Sequence, residues 1–313
     1  MVPVSSFPLL RLPKNATMNT LRIMNHLKLF GISLISNKTK GLVQSLNLTL
    51  FEFMVCVDNG FSISLTFSGA YLTFRHFLNR LDYEIDYESM DEYEIIKEPW
   101  TSNKMDGRML INHLKLIFNC SKIKVEFKFN SERFNFEPIL KGRLDIESIR
   151  LNNDNQEENL RILNVVKPSM VSMNNPPSRD ILIQNFDNLI ASEMIISLED
   201  LLISNVRNFE ADCQMVTSKL LNQFLKLWMH GSNLQLESLK LDFTLDNDFK
   251  QEEIFAGLKI TENRHFKSAS DTCEITDGVD ICRFDGTMAT IFVGNHSRAC
   301  AFEIYVWHDH CTA

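Results

Sequence analysis

Phe51-Glu-Phe-Met-Val-Cys-Val57, Asp58-Asn59-Gly60 and Phe61-Ser-Ile-Ser-Leu-Thr-Phe67 read as two alternating runs on either side of an Asn-Gly pair. Period two is the spacing of a strand with one face buried, and Asn-Gly supplies the turn that lets such strands fold back antiparallel. The stretch therefore predicts a β-hairpin, and residues 51–109 are read as that hairpin followed by an acidic connecting segment. In the connecting segment, Asp82 to Glu98 holds eight acids interleaved with Tyr83, Tyr87 and Tyr93. Runs of like charge are usually solvated, so it reads as a loop or edge segment between two modules.

Downstream of residue 110, strands and helices alternate. Candidate strands are Ile123–Phe129, Leu144–Leu151, Asp180–Asn185, Val206–Ala211 and Leu236–Phe243. Their irregular spacing resembles a leucine-rich solenoid without its full repeat signature. The stretch Lys167–Arg179, with Pro168, Pro176 and Pro177, reads as a connection without an element of its own. One helix stands out: Thr217 or Ser218 caps it, Leu221, Phe224, Leu225 and Trp228 fall on one face, and Gly231 stops it. Thr287–Val293 and Ala301–Trp307 read as a second hairpin.

Upstream, Leu21, Met24, Leu27, Phe30, Leu34, Leu42, Val43 and Leu46 recur at steps of three and four, predicting three short helices. Such a unit of fifty residues has too little core to satisfy itself. Its charge is one-sided. It holds Arg11, Lys14, Arg22, Lys28, Lys38 and Lys40 and no acid, whereas the rest of the chain carries 26 basic and 40 acidic residues, for an overall net charge of −8. The first fifty residues are thus suited to an acidic partner. With no Arg/Lys run and no interleaved aromatics, that partner is read as a protein and not as nucleic acid.

The 313 residues, 44% hydrophobic and 23% charged, are ordinary for a globular chain of about two domains. Seven scattered cysteines without a C-x-x-C pair point to buried thiols in a reducing compartment, cytoplasmic or nuclear. Met1–Pro13 lacks the pattern of a secretory leader, and no apolar run approaches the ~18 residues of a membrane span. Nucleotide-binding, zinc-protease and serine-hydrolase motifs are missing from the sequence. His308-Asp309-His310-Cys311 has metal-ligand chemistry, but a structural site needs four ligands and no second cluster accompanies it. Asp285 near Cys282 has no histidine spaced to activate the thiol. No catalytic residue, metal or cofactor is therefore assigned, and the chain is expected not to be an enzyme.

Phe7-Pro-Leu-Leu-Arg-Leu-Pro13, with Leu21-Arg-Ile-Met24 and Ser33-Leu-Ile-Ser36-Asn-Lys-Thr-Lys40 behind it, resembles the F-box of the large nematode F-box family. Leu198-Glu-Asp-Leu-Leu-Ile-Ser-Asn205, Leu221-Asn-Gln-Phe-Leu-Lys-Leu-Trp228 with Gly231-Ser-Asn233 and Leu236-Glu237, and Asp285-Gly-Thr-Met-Ala-Thr290 ahead of Val306-Trp307 are similar to the F-box-associated type 2 domain. The resemblance implies an α+β chain: a three-helix F-box over 1–50, the segment 51–109, and an α/β leucine-rich-like body with antiparallel hairpins over 110–313.

It also implies a role. In that family the F-box packs on a Skp-type adaptor of a cullin ubiquitin ligase, and the associated domain selects a protein substrate. The matching positions place Phe7, Pro8, Leu9, Leu12, Pro13, Leu21, Met24, Leu29 and Leu34 at or beneath the adaptor interface, and place Phe224, Leu225 and Trp228 in the core of the body. No residue is assigned to the substrate. Where the family has an Asp-Pro-like turn and then a Glu, this chain has Asn25-His26 and Lys28, with Gly31 inside the next helix. A lost cap and a helical glycine each cost about 1 kcal/mol, which predicts weaker docking and leaves an interaction module uncoupled from the ligase as the alternative.

Overall fold

The computed structural model describes residues 9–77, 83–90, 94–100, 105–142, 144–244, 250–267, 274–296 and 299–308. The chain divides into two compact units, Met1–Glu147 and Ser148–Ala313.

In the first unit a 3-10 turn, Leu9–Arg11, leads into α1 (Lys14–Arg22), α2 (His26–Ser33) and α3 (Asn37–Gln44). The strands β1 (Leu50–Val57), β2 (Gly60–Phe67), β3 (Ala70–Phe77), β4 (Tyr83–Ser89) and β5 (Glu94–Trp100) follow, then α4 (Gly107–Ile117), β6 (Ile123–Phe127) and α5 (Glu137–Leu140). The strand order is β6-β1-β2-β3-β4-β5, with β1 and β6 parallel and the other neighbours antiparallel.

Asn59-Gly60 makes the β1–β2 turn, closed by a bond of 3.1 Å from the Asp58 amide to the Gly60 carbonyl. A glycine is required at position 60, since a Cβ there would collide with the His76 carbonyl on β3. Register then aligns the apolar positions. Phe53 pairs with Leu65, Val55 with Ile63, Leu65 with Leu72, Ile63 with Phe74, and Phe74 with Ile85, all of them buried.

The acidic stretch is corrected by this register. Its described residues form β4 and part of β5, with Tyr83, Ile85 and Tyr87 buried and Glu84, Asp86 and Glu88 on the other face, where Asp86 pairs with Arg75; Asp82, Asp91, Glu92 and Tyr93 lie outside the described residues. The interleaving of acids and tyrosines is strand alternation, which charge counting alone does not reveal.

The N-terminal helices do not form a separate helical F-box. They are a short helical stretch packed on this sheet, and the burial they lack among themselves comes from it. Phe30 of α2 meets Phe74 at 4.8 Å and Trp100 at 5.2 Å between ring centroids, and His26 stacks on Phe67 at 3.8 Å. Phe67 in turn packs edge-on against Phe118, just after α4.

The second unit begins with β7 (Ile146–Leu151), α6 (Gln156–Val166), β8 (Met170–Met173), α7 (Arg179–Leu182), β9 (Asn188–Met194), α8 (Leu198–Ile203), β10 (Asn208–Cys213), α9 (Ser218–Met229) and β11 (Ser238–Thr244). It ends with α10 (Gln251–Ile254), β12 (Ile260–Lys267), β13 (Glu274–Cys282), β14 (Met288–His296) and β15 (Ala299–Trp307). Strands β7 to β11 are parallel and adjacent in chain order; β15, β14, β13 and β12 continue the ladder antiparallel.

This mixed sheet replaces the expected leucine-rich body. Its parallel strands begin at 146, 170, 188, 208 and 238, with no constant repeat, and the last quarter of the chain closes the unit with antiparallel strands. Two of the expected elements change. Asp180–Asn185 overlaps helix α7, not a strand, and the proline-rich connection Lys167–Arg179 contains β8. One buried stripe crosses the ladder in register through Ile149, Val171, Leu189, Phe209, Leu239 and Ile304. The connecting helices add Ile162, Ile181, Leu201, Leu221, Phe224, Leu225 and Trp228 to the buried layer.

Candidate protein-interaction surfaces

The first surface is the N-terminal helical stretch. The Thr17 hydroxyl, buried in α1, lies 3.4 Å from the Leu9 carbonyl and 3.3 Å from those of Leu12 and Pro13, tying the 3-10 turn to the helix. Asn25 caps α2 by accepting from the Lys28 amide at 2.9 Å, and Ser36 with Thr39 forms a capping box for α3. The expected loss of a cap at Asn25 is thus corrected, because asparagine itself serves as the acceptor. Gly31 sits on an exposed part of α2, and a Cβ added there would meet nothing within 4 Å.

The residues matched to an adaptor interface separate by burial. Leu21 and Leu29 are fully buried, Leu9, Leu12 and Met24 are half-buried, and Pro13 and Leu34 are exposed. Phe7 and Pro8 lie outside the described residues. Sequence reasoning missed three apolar residues that are more accessible: Leu10 is 41% exposed, Ile23 85% and Ile35 70%. They add exposed apolar area to a basic stretch. The local signal was present, since Ile23 and Ile35 each fall at or just past a helix end, where a side chain has no neighbouring turn to pack on.

The second surface is the face of the second unit's sheet opposite the buried stripe. There Met170, Asn188, Asn208, Ser238 and Tyr305 stand in one row across the ladder, and Ser172, Ile190, Glu210, Lys240 and Glu303 in the next. All of these but Ser172 and Glu303 line a depression of ≈ 270 Å³. Its polar groups are fixed by bonds to one another. Ser238 donates to the Asn208 amide oxygen at 2.8 Å, and Tyr305 donates to Glu303 at 2.8 Å. Lys240 reaches Asp242 at 3.2 Å and Glu210 at 3.4 Å. Burial opposes the charge on Lys240, but the bond to Asp242 and the neighbouring carboxylates outweigh it and hold its pKa above the usual value. The rows therefore set mutually bonded polar groups beside apolar Met170 and Ile190.

Residues 178–241 match the model of a family described as F-box associated. The matched stretch runs from α7 through most of β11 and supplies the central strands of this face. No curated protein matches the chain. Among solved structures, the probable ornithine cyclodeaminase of Bordetella pertussis Tohama I is similar over 60% of this chain and 68% of its own, at 11% identity and a TM-score of 0.17, which establishes no common fold.

Within the F-box associated stretch, α9 follows its sequence pattern closely. Thr217 caps it by accepting from the Leu220 amide, Phe224, Leu225 and Trp228 are buried, and Gly231 leaves it at φ +104°. Asn233, left-handed at φ 51°, donates to the carbonyls of Leu201 and Ser204 at 2.8 and 3.0 Å, closing the end of α8. Beyond the stretch, Arg283 lies 5.2 Å over the Trp228 ring and pairs with Asp285 at 2.9 Å. The bonds from Arg283, and another from the Thr287 amide, hold the Asp285 carboxyl well below the usual range. Asp285 thus shapes the β13–β14 turn, while the Cys282 thiol donates to the Arg283 carbonyl.

Among the described residues no group of three or more metal-ligating side chains occurs, and no helix is long and apolar enough to cross a membrane. His308 bonds to the Leu236 carbonyl, whereas His310 and Cys311 lie outside the described residues. Burial pushes the Cys56 and Cys213 thiols up to about 12, leaving them unreactive.

Proposed function

We propose that this chain is a non-catalytic substrate-recognition subunit of a Skp-cullin-F-box ubiquitin ligase. The observation that carries the reading is the F-box associated match over 178–241, which coincides with the polar-apolar face of the second unit. That face takes a protein substrate. The N-terminal helices take a Skp-type adaptor: Leu10, Leu34 and Ile35 offer apolar area, Leu21 and Leu29 support them from beneath, and the basic surroundings suit an acidic helical partner.

The test is co-purification of a purified Skp-type adaptor with the full chain, beside Leu12→Ala/Pro13→Ala and Leu10→Glu/Ile35→Glu. The second pair changes exposed residues and leaves the core intact. Binding by the natural chain, lost in both variants at unchanged melting temperature, supports the reading. No binding by the natural chain, or equal binding by all three, overturns it in favour of an interaction module uncoupled from the ligase.

A further inference from the structure

A second pocket in the first unit, ≈ 370 Å³, lies at the N-terminal end of α2, between the α1–α2 junction and the strands β2 to β4. Arg22, Asn25, His26 and Lys28 wall one side, and Ser68 and Ser89 the other. Among the described residues that line it there is no acid. Neither Arg22 nor Lys28 has an acidic partner among the described residues, and residues 9–50 hold no carboxylate at all. Both side chains thus line one cavity without a described ion-pair partner, and Lys28 also lines a neighbouring cavity together with Glu98.

The framework around them is fixed. His26 is held by its stack on Phe67, and its Nδ1 is buried with no partner among the protein's described atoms. The β2–β3 turn that carries Ser68 is pinned by a bond of 2.8 Å from the Met90 amide to the Gly69 carbonyl, with Gly69 at φ +70°.

We propose that this pocket binds a phosphate-type dianion between Arg22 and Lys28, with hydroxyl and imidazole groups on the surrounding wall. Two cations without a described acidic partner match the charge of −1.5 to −2 on a phosphate monoester, whereas a carboxylate ligand would neutralise only one of them. The N-terminal end of α2 adds a favourable dipole. The ligand chemistry is that of a phosphate monoester or of free phosphate. The inference rests on the first unit alone and stands or falls separately from the ligase reading.

The test is calorimetric titration of the full chain with inorganic phosphate and, separately, O-phospho-L-serine at constant ionic strength, beside Arg22→Gln/Lys28→Gln. Saturable binding of either probe, weakened at least about tenfold in the double variant at unchanged melting temperature, is expected. The His26 ring resonances should shift on binding while those of His113 stay in place. Preference for phosphoserine assigns a monoester, and equal affinity assigns the free anion. Ser68→Asp, which puts a carboxylate into the wall, should also block binding and serves if the double variant folds poorly. Absence of saturable binding at about millimolar concentrations, affinity unchanged in the variants, or an unmoved His26 ring overturns the proposal.

Discussion

Ser33 Oγ and His113 Nε2 lie 2.7 Å apart in a buried contact that joins α2 to α4 across eighty residues of sequence. With the single hydroxyl proton of Ser33 directed to the Phe30 carbonyl at 2.6 Å, the serine oxygen is left to accept from His113, which assigns a proton to Nε2 of that ring. The contact shows how the N-terminal helices are held: by polar as well as aromatic groups that reach into the sheet-bearing part of the same unit.

Burial lowers both His26 and His113 from 6.5 to about 4, with Lys40 adding repulsion at His113. Both rings are neutral in the folded chain and titrate normally when unfolded. Their contribution is complete above pH 6.5 and is lost as pH falls from 6.5 toward about 4. Urea midpoints should therefore fall across that window, and His113→Asn, less stable at neutral pH, should show a shallower fall. A midpoint that stays level from pH 7 to 4.5 would contradict the buried neutral state.

Gly31 occupies an exposed helical position with open space around an added Cβ. Gly31→Ala should stabilise the first unit by about 0.5–1 kcal/mol by removing backbone freedom from the unfolded chain. Urea unfolding followed by circular dichroism reads the change directly, and a destabilised variant would show that the position is constrained.

Phe30 is wedged between Phe74, Trp100 and His113. Phe30→Ala should cost about 3–5 kcal/mol through lost burial and an unfilled cavity. Limited proteolysis should then cut within residues 9–50 before the second unit is attacked. Cleavage there at the natural rate would mean that the helices do not depend on this side chain.

Asn233 satisfies two carbonyls at the end of α8 from a left-handed backbone conformation. Asn233→Ala removes both bonds and leaves the strain, with an expected loss of about 1–3 kcal/mol. Asn233→Gly relieves the strain but not the bonds, so its measured loss should be the smaller of the two.

Local chemistry carried several elements through unchanged. The β1–β2 hairpin follows from Asn59-Gly60 and α9 from its cap, apolar face and terminal glycine, while the second hairpin is met as β14–β15, with β14 running on past Val293 to His296. In each case the residues that decide the element are neighbours in the chain. β8 and α7 were misread for the opposite reason. Each has four residues, too few to show a period, and Met170–Met173 is a strand because Val171 pairs between Ile149 and Leu189. The apolar residues of the N-terminal stretch are legible in the sequence, but which of them face outward is not: Leu21 and Ile23 look alike, and only packing buries the first and leaves the second exposed.

The amino-acid sequence by itself determined where helices and hairpins can start and stop, and that residues 1–50 are basic and the remainder acidic, because caps, turns and charge are local properties. The tertiary structure alone decided that the acidic run is a strand pair, that the N-terminal helices lean on a sheet, and that Arg22 and Lys28 share a pocket with Ser68. Those relations depend on register and on contacts between residues far apart in the chain, and neither is encoded in any short window of sequence.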